Sequence, residues 1–133
     1  MMPNIKVSEL PEKYPSLFHE EDKTTLISSI QCDDGWYELL DVLCASIKQE
    51  IEHTKTTCRV EQVKEKFGGL RFYCTGNEAV QGMVRLAEAY SYYLCEKCGN
   101  KGKLCDIRGW RQTLCDDCYE KKIVIVDNKA RGG

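Results

Sequence analysis

The sequence predicts an α+β fold: two helices packed on an antiparallel β-hairpin, followed by a small cysteine-rich finger. Three observations predict it. Apolar residues recur at helical spacing in two stretches that flank a pair of β-branched, partly alternating segments. Adjacent glycines, Gly68 and Gly69, separate those segments and supply the positive φ angles that a tight hairpin needs. Four cysteines near the C-terminal end, Cys95, Cys98, Cys115 and Cys118, form two C-x2-C pairs with sixteen residues between them.

The first helix is expected over about residues 35 to 53. Asp33 and Asp34 precede it, where carboxylates can cap free N–H groups and suit the positive helix end. Trp36, Leu39, Leu40, Leu43, Ile47 and Ile51 then mark its apolar stripe. The hairpin strands are expected at about 56–66 and 70–75. Leu70, Phe72 and Cys74 share one side, and a phase slip between Val60 and Val63 predicts a bulge. Thr75–Gly76–Asn77 reads as a turn with Asn77 as the cap of a second helix, about 78–94. Its stripe is Val80, Val84, Ala87, Tyr90 and Leu94, with Met83 beside it. That helix runs directly into Cys95, so the two halves should be rigidly joined.

Upstream, residues 1–31 form an arm that carries all three prolines, Pro3, Pro11 and Pro15. Long regular structure is not expected there before about Thr24. Leu10, Tyr14, Leu17 and Phe18 are positioned to pin the arm to the core. The chain thus divides into an arm (1–31), an α+β core (32–94), a finger (95–122) and a tail (123–133). In the tail, Ile123–Val126 is β-branched and suits a docked strand. Arg131–Gly132–Gly133 looks like the tails used in ubiquitin-like conjugation, and a plain flexible end explains it more simply.

Two residues between paired cysteines let both sulfurs reach one ion from a single tight turn, and a short hairpin brings the second pair round to complete a tetrahedron. The pattern predicts a structural Zn2+ held by Cys95, Cys98, Cys115 and Cys118, against the alternative of buried thiols acting as small hydrophobes. Gly99 eases the first turn, and Gly102 and Gly109 bracket the hairpin segment. Because Cys115–Glu120 can start a helix, the finger should be a treble clef, with a zinc ribbon as the alternative. Cys105, a fifth cysteine in the loop, is read as a hairpin core residue. Four sulfurs close the coordination shell and leave no position for water or substrate.

At 133 residues the chain is one compact domain, or a domain with an appended module. It carries no apolar run long enough to span a bilayer and no signal-peptide pattern, so the expected setting is the cytoplasm. Nine cysteines in a reducing compartment favour metal ligation over disulfides. Residues 1–54 hold 4 Lys/Arg against 11 Asp/Glu, net −7, and residues 55–133 hold 15 against 10, net +5. Four thiolates on one divalent ion lower the second value further. This is a weak balance for a phosphate-backbone binder; a bipolar surface suits a protein partner, and chance asymmetry explains it equally well.

Catalytic groups are sparse. The two histidines, His19 and His53, sit in no recognisable motif, and His53 suits the negative helix end. Cys32 precedes a helix start, where thiols are acidified, but neighbouring aspartates oppose that. Gly68–Gly69 lacks the Lys–Ser/Thr of a phosphate loop. The better candidate surfaces combine basic and aromatic side chains: Arg59, Lys64, Lys66, Phe67, Arg71 and Tyr73 on the hairpin, and Arg108, Trp110 and Arg111 in the finger. A solvated sheet face, and packing over the finger hairpin, are the plain alternatives.

Several runs recur together in a known pattern: Tyr14–Phe18 (YPSLF), Cys32–Tyr37 (CDDGWY), Val63–Tyr73 (VKEKFGGLRFY), Cys95–Gly99 (CEKCG), Gly109–Trp110 and Thr113–Cys118 (TLCDDC). In this order, over about residues 11 to 120, they resemble a widespread family of small uncharacterised proteins of tailed bacteriophages and prophages. That family's first motif reads C-G-D-G-W, and Asp33 takes the place of its glycine. The resemblance implies a phage accessory protein acting in the bacterial cytoplasm and implies no known reaction. The function expected is therefore non-enzymatic binding of a host macromolecule, such as a host protein of a defence system. One alternative is a binder of a nucleotide signal or of nucleic acid through the hairpin. Another is an enzyme using Cys32, or an open zinc site that includes Cys105.

Overall fold

The computed structural model describes residues 6–19 and 30–130. Pro3, the stretch around Thr24 and the terminal Arg131–Gly132–Gly133 lie outside the described residues. The architecture is mixed α+β. Two short helices, α1 (Leu10–Lys13) and α2 (Pro15–Phe18), follow a single 3-10 turn at Val7–Glu9. A two-residue strand β1 (Ile30–Gln31) leads through a 3-10 turn at Asp34–Trp36 into α3 (Tyr37–Thr54). Then come β2 (Val60–Lys66), β3 (Gly69–Cys74) and α4 (Glu78–Ser91). The finger consists of β4 (Lys103–Ile107), β5 (Trp110–Leu114) and α5 (Asp116–Ala130). No helix among the described residues is long and apolar enough to cross a membrane.

The central sheet has the order β1–β2–β3, with β1 parallel to β2 through Ile30–Val63 and β2 antiparallel to β3. A register shift between Val60 and Gln62 marks the bulge that the phase slip predicted. Val63, Leu70 and Phe72 face one large core with Trp36, Leu40, Leu43, Cys44, Ile47 and Ile51 of the α3 region. The arm adds Val7, Leu10, Tyr14, Leu17 and Phe18 to the same core, all buried. Tyr14 also donates from its hydroxyl to Asp41 Oδ1 at 2.6 Å, and Lys13 pairs with Asp41 at 2.9 Å.

Helix α4 seals the free edge of β3 with side chains. Leu70 N donates to Ser91 Oγ at 2.9 Å, Phe72 N to Glu88 Oε2 at 2.9 Å, and Gln81 Nε2 donates to the Cys74 carbonyl at 3.1 Å. An exposed row of strand N–H and C=O groups is thereby satisfied without a fourth strand. Asn77 caps the helix as expected, accepting from Val80 N at 2.9 Å.

Four expectations are corrected. Tyr90 is exposed, not on the α4 stripe; spacing from Val84 and Ala87 puts Ser91 on the buried face instead. Asp33 and Asp34 do not cap the helix. Asp33 pairs with Lys97 at 2.8 Å, and Asp34 Oδ1 accepts from Val7 N at 3.1 Å, so both aspartates tie distant segments to the turn. Asp33 itself has extended backbone (φ −87°, ψ 167°), which a side chain tolerates freely. Ile123–Val126 is helical: α5 continues unbroken through residue 130, past the expected boundary at 122. Only Gly68 of the glycine pair supplies a positive φ (91°); its turn partner is Phe67 (φ 55°). Gly69 is needed for a different reason, because a Cβ there would collide with the Tyr92 ring.

The finger is fixed to the core at two glycines. Gly35 N donates to the Glu96 carbonyl at 2.7 Å, and a Cβ on Gly35 would run into the carbonyls of Cys95 and Glu96. Thr113 Oγ1 donates to the Gly68 carbonyl at 2.7 Å in a buried position, and Leu104 covers the same glycine. Trp36 Nε1 adds a bond to the Leu94 carbonyl at 3.0 Å. Buried Glu96 joins the halves from inside, accepting from Asp33 N at 3.1 Å and Gln112 Nε2 at 3.2 Å.

Gly35→Ala should therefore lower stability by about 3 kcal/mol, since backbone, not a pliable side chain, must move. Denaturant unfolding checks this; an unchanged midpoint would remove the contact from the account. Tyr14→Phe should cost about 1 kcal/mol. The tyrosine hydrogen bond holds the Asp41 carboxyl below its usual range. A depressed carboxyl stabilises the fold at neutral pH, and that contribution fades as pH falls through its folded-state value. The difference between wild type and Tyr14→Phe should accordingly shrink in acid.

Candidate metal centre

Chain geometry brings the two cysteine pairs together. The last turn of α4 leads through Leu94, which pairs with Lys101, into a knuckle at 95–99. Gly99 sits there with φ 85° and donates from its N–H to the Cys95 carbonyl at 2.9 Å. The antiparallel β4–β5 hairpin, turning at Arg108 and Gly109 (both positive φ), returns the chain to Cys115. Cys118 follows in the first turn of α5, with its N–H directed at Cys115 Sγ at 3.5 Å.

The four sulfurs of Cys95, Cys98, Cys115 and Cys118 all lie within 4.8 Å of one another, and those of Cys98 and Cys115 are 3.6 Å apart. Tetrahedral bonds of about 2.3 Å place sulfurs about 3.8 Å apart, so the cluster fits a four-thiolate ion. Thiols this close oppose one another's ionisation. Burial and then the hydrogen bond with Cys115 push the Cys118 thiol up, while the Cys118 N–H draws the Cys115 thiol down. A cation among them reverses the balance and converts all four to thiolates.

Cys105 lies apart from this group. It is buried in the finger core with Ile107 and Leu114, and its Sγ contacts the Lys103 carbonyl at 3.3 Å. It is a hairpin core residue, as the spacing suggested. Cys32 is 3% exposed, and burial, with the Glu96 charge next, pushes its thiol up. That is the opposite of what a nucleophile needs. His19 Nε2 lies 3.3 Å from the Cys58 carbonyl, and His53 stands exposed in the last turn of α3.

The docked finger also joins the two candidate surfaces. Glu65 and Lys66 at the end of β2 and Phe67 in the turn after it, with Gly109 of the β4–β5 turn and Trp110 and Arg111 at the start of β5, line one cleft of about 630 Å³. Nothing in the local pattern shows that these turns meet; the buried Thr113–Gly68 contact sets them side by side. Lys64, Arg71 and Tyr73 continue from the cleft along the outer sheet face. Arg108 is turned aside into an ion pair with Asp127 at 3.3 Å. Arg59 stands at the far end of the hairpin, where its N–H meets Thr75 Oγ1 at 3.0 Å. Neither lines the cleft.

Metal analysis of the purified chain should find one transition-metal ion per molecule. Serine at Cys95, Cys98, Cys115 or Cys118 should lower that occupancy, whereas Cys105→Ser should keep it. Because protons compete for the thiolates, the ion should be released as pH falls, and chelators should act faster in acid. Retention of a full ion by Cys98→Ser with loss in Cys105→Ser would reassign the site.

No family model, no curated protein and no solved structure matches this chain.

Proposed function

We propose that this chain is a non-enzymatic accessory protein of the phage type, binding a host macromolecule in the bacterial cytoplasm. A component of a host defence system is the favoured class of target, following the family resemblance. The ion is Zn2+, bound by Cys95, Cys98, Cys115 and Cys118. A helix that carries Cys118 in its first turn supports a treble-clef finger over a zinc ribbon. When bound, the ion supplies a cross-link between knuckle and helix; with sulfur in all four positions it offers no site to a substrate.

The observation that carries the reading is the shared cleft. Phe67 and Trp110 are 64% and 67% exposed on two turns that the fold spends buried contacts to hold together. Large rings left in water contribute nothing to a core, and paired on a fixed scaffold they make a contact surface.

Tagged, zinc-loaded protein should retain a specific bacterial macromolecule, identified by mass spectrometry or sequencing. The double variant Phe67→Gly, Trp110→Ala should lose it while keeping its ion and melting temperature. Equal capture by both forms would move the contact elsewhere, and measurable substrate turnover by the pure chain would end the non-enzymatic reading.

A further inference from the structure

We propose that the outer face of the β2–β3 hairpin, together with the cleft at its tip, binds single-stranded nucleic acid. The proposal rests on the binding-face reading above and names the ligand class. Strand register puts Gln62 opposite Tyr73 and Lys64 opposite Arg71, with Lys66 opposite Gly69. Side chains directly opposite in an antiparallel pair share a face, and alternation keeps these on the side away from Val63, Leu70 and Phe72. Tyr73 and the turn residue Phe67 are therefore separated by roughly 15 Å along the strand. Trp110 lines the same cleft as Phe67. Three exposed rings thus follow one another along a single path.

Cations are interleaved with the rings. Lys64 Nζ lies 6.0 Å from the Tyr73 ring centroid and Lys66 Nζ 5.6 Å from that of Phe67. Arg71 lies between them, its guanidinium against the Tyr92 hydroxyl at 3.3 Å, and Arg111 lines the cleft. Glu65 is the one carboxylate in the lining, and its Oε2 is held by Gly68 N at 2.7 Å within the turn. Rings that stack unpaired bases, with cations beside them for the phosphates, are what a single strand needs.

Phe67 adds an independent observation. It holds φ 55° at a turn position that favours Asn or Gly, and its ring stays 64% exposed. A bulky side chain kept in left-handed backbone at the mouth of a cleft points to a use for the ring.

The test uses the full zinc-loaded chain and fluorescent oligothymidylates and oligouridylates of increasing length. Affinity should rise with length, exceed that for the matching duplex, and fall between about 50 and 200 mM salt. Phe67→Gly relaxes the turn, so it removes the ring without straining the fold; it and Trp110→Ala should each weaken binding by about tenfold or more. Lys66→Gln and Arg111→Gln should each flatten the log–log salt slope by about 0.7. Trp36 is fully buried, so quenching of intrinsic fluorescence on binding should report Trp110 and should vanish in Trp110→Phe while affinity survives. Absence of binding at about 50 mM salt, preference for duplex, or length-independent binding of free nucleotides overturns the assignment. If no oligonucleotide binds but a host protein is captured and lost in the two ring variants, the single-strand proposal fails and the binding face stands. If the ring variants change neither, both fail.

Discussion

Gly35 and Gly68 can be approached by the finger's backbone because neither carries a side chain. The carbonyls of Cys95 and Glu96 occupy the space a Cβ on Gly35 would need, and Leu104 with the Thr113 hydroxyl closes over Gly68. At Gly35 backbone packs on backbone, which has little freedom to slide. The finger is thereby fixed in one orientation on the sheet, and the shared cleft, the buried Glu96 bridge and the path of exposed rings all follow from it. A finger tethered through side chains alone would have left the two turns independent.

The same economy appears in the core. A three-stranded sheet this small has an unprotected edge, and the chain closes it with three polar side chains from one helix. Ser91 also donates to the Glu88 carbonyl at 2.6 Å, so the group that caps the strand is itself satisfied. Glu96 is buried on the same logic: its carboxylate lies between a backbone N–H and an amide, and burial still raises its pKa. The apolar core is supplemented at every margin by hydrogen bonds that span long stretches of sequence.

Local pattern made much of this legible. Helical stripes, the bulge, the Asn77 cap and the proximity of four sulfurs depend on neighbours within a few residues, or on a ligand geometry that constrains spacing. What escaped reading depends on contacts across the chain. Asp33 and Asp34 have the chemistry of caps, and only the fold shows them reaching Lys97 and the arm instead. Tyr90 and Ser91 differ by one position on a helix, a choice that the β3 edge makes. Ile123–Val126 has strand propensity, yet it is carried onward as helix from Cys118, with Ile123 and Val126 resting on the finger core. Both glycines of the tight turn were expected to serve its dihedrals; one serves the Tyr92 ring.

The hydroxyl of Thr113 on the carbonyl of Gly68 makes the sulfur cluster and the hairpin tip thermodynamic neighbours. An ion that favoured the folded finger would, through this bond, also steady the turn that carries Phe67. Linkage is reciprocal, so an occupant that stiffens the tip tightens the grip on the ion by the same factor. An ion at the four sulfurs and a ligand at the tip would then each favour the binding of the other.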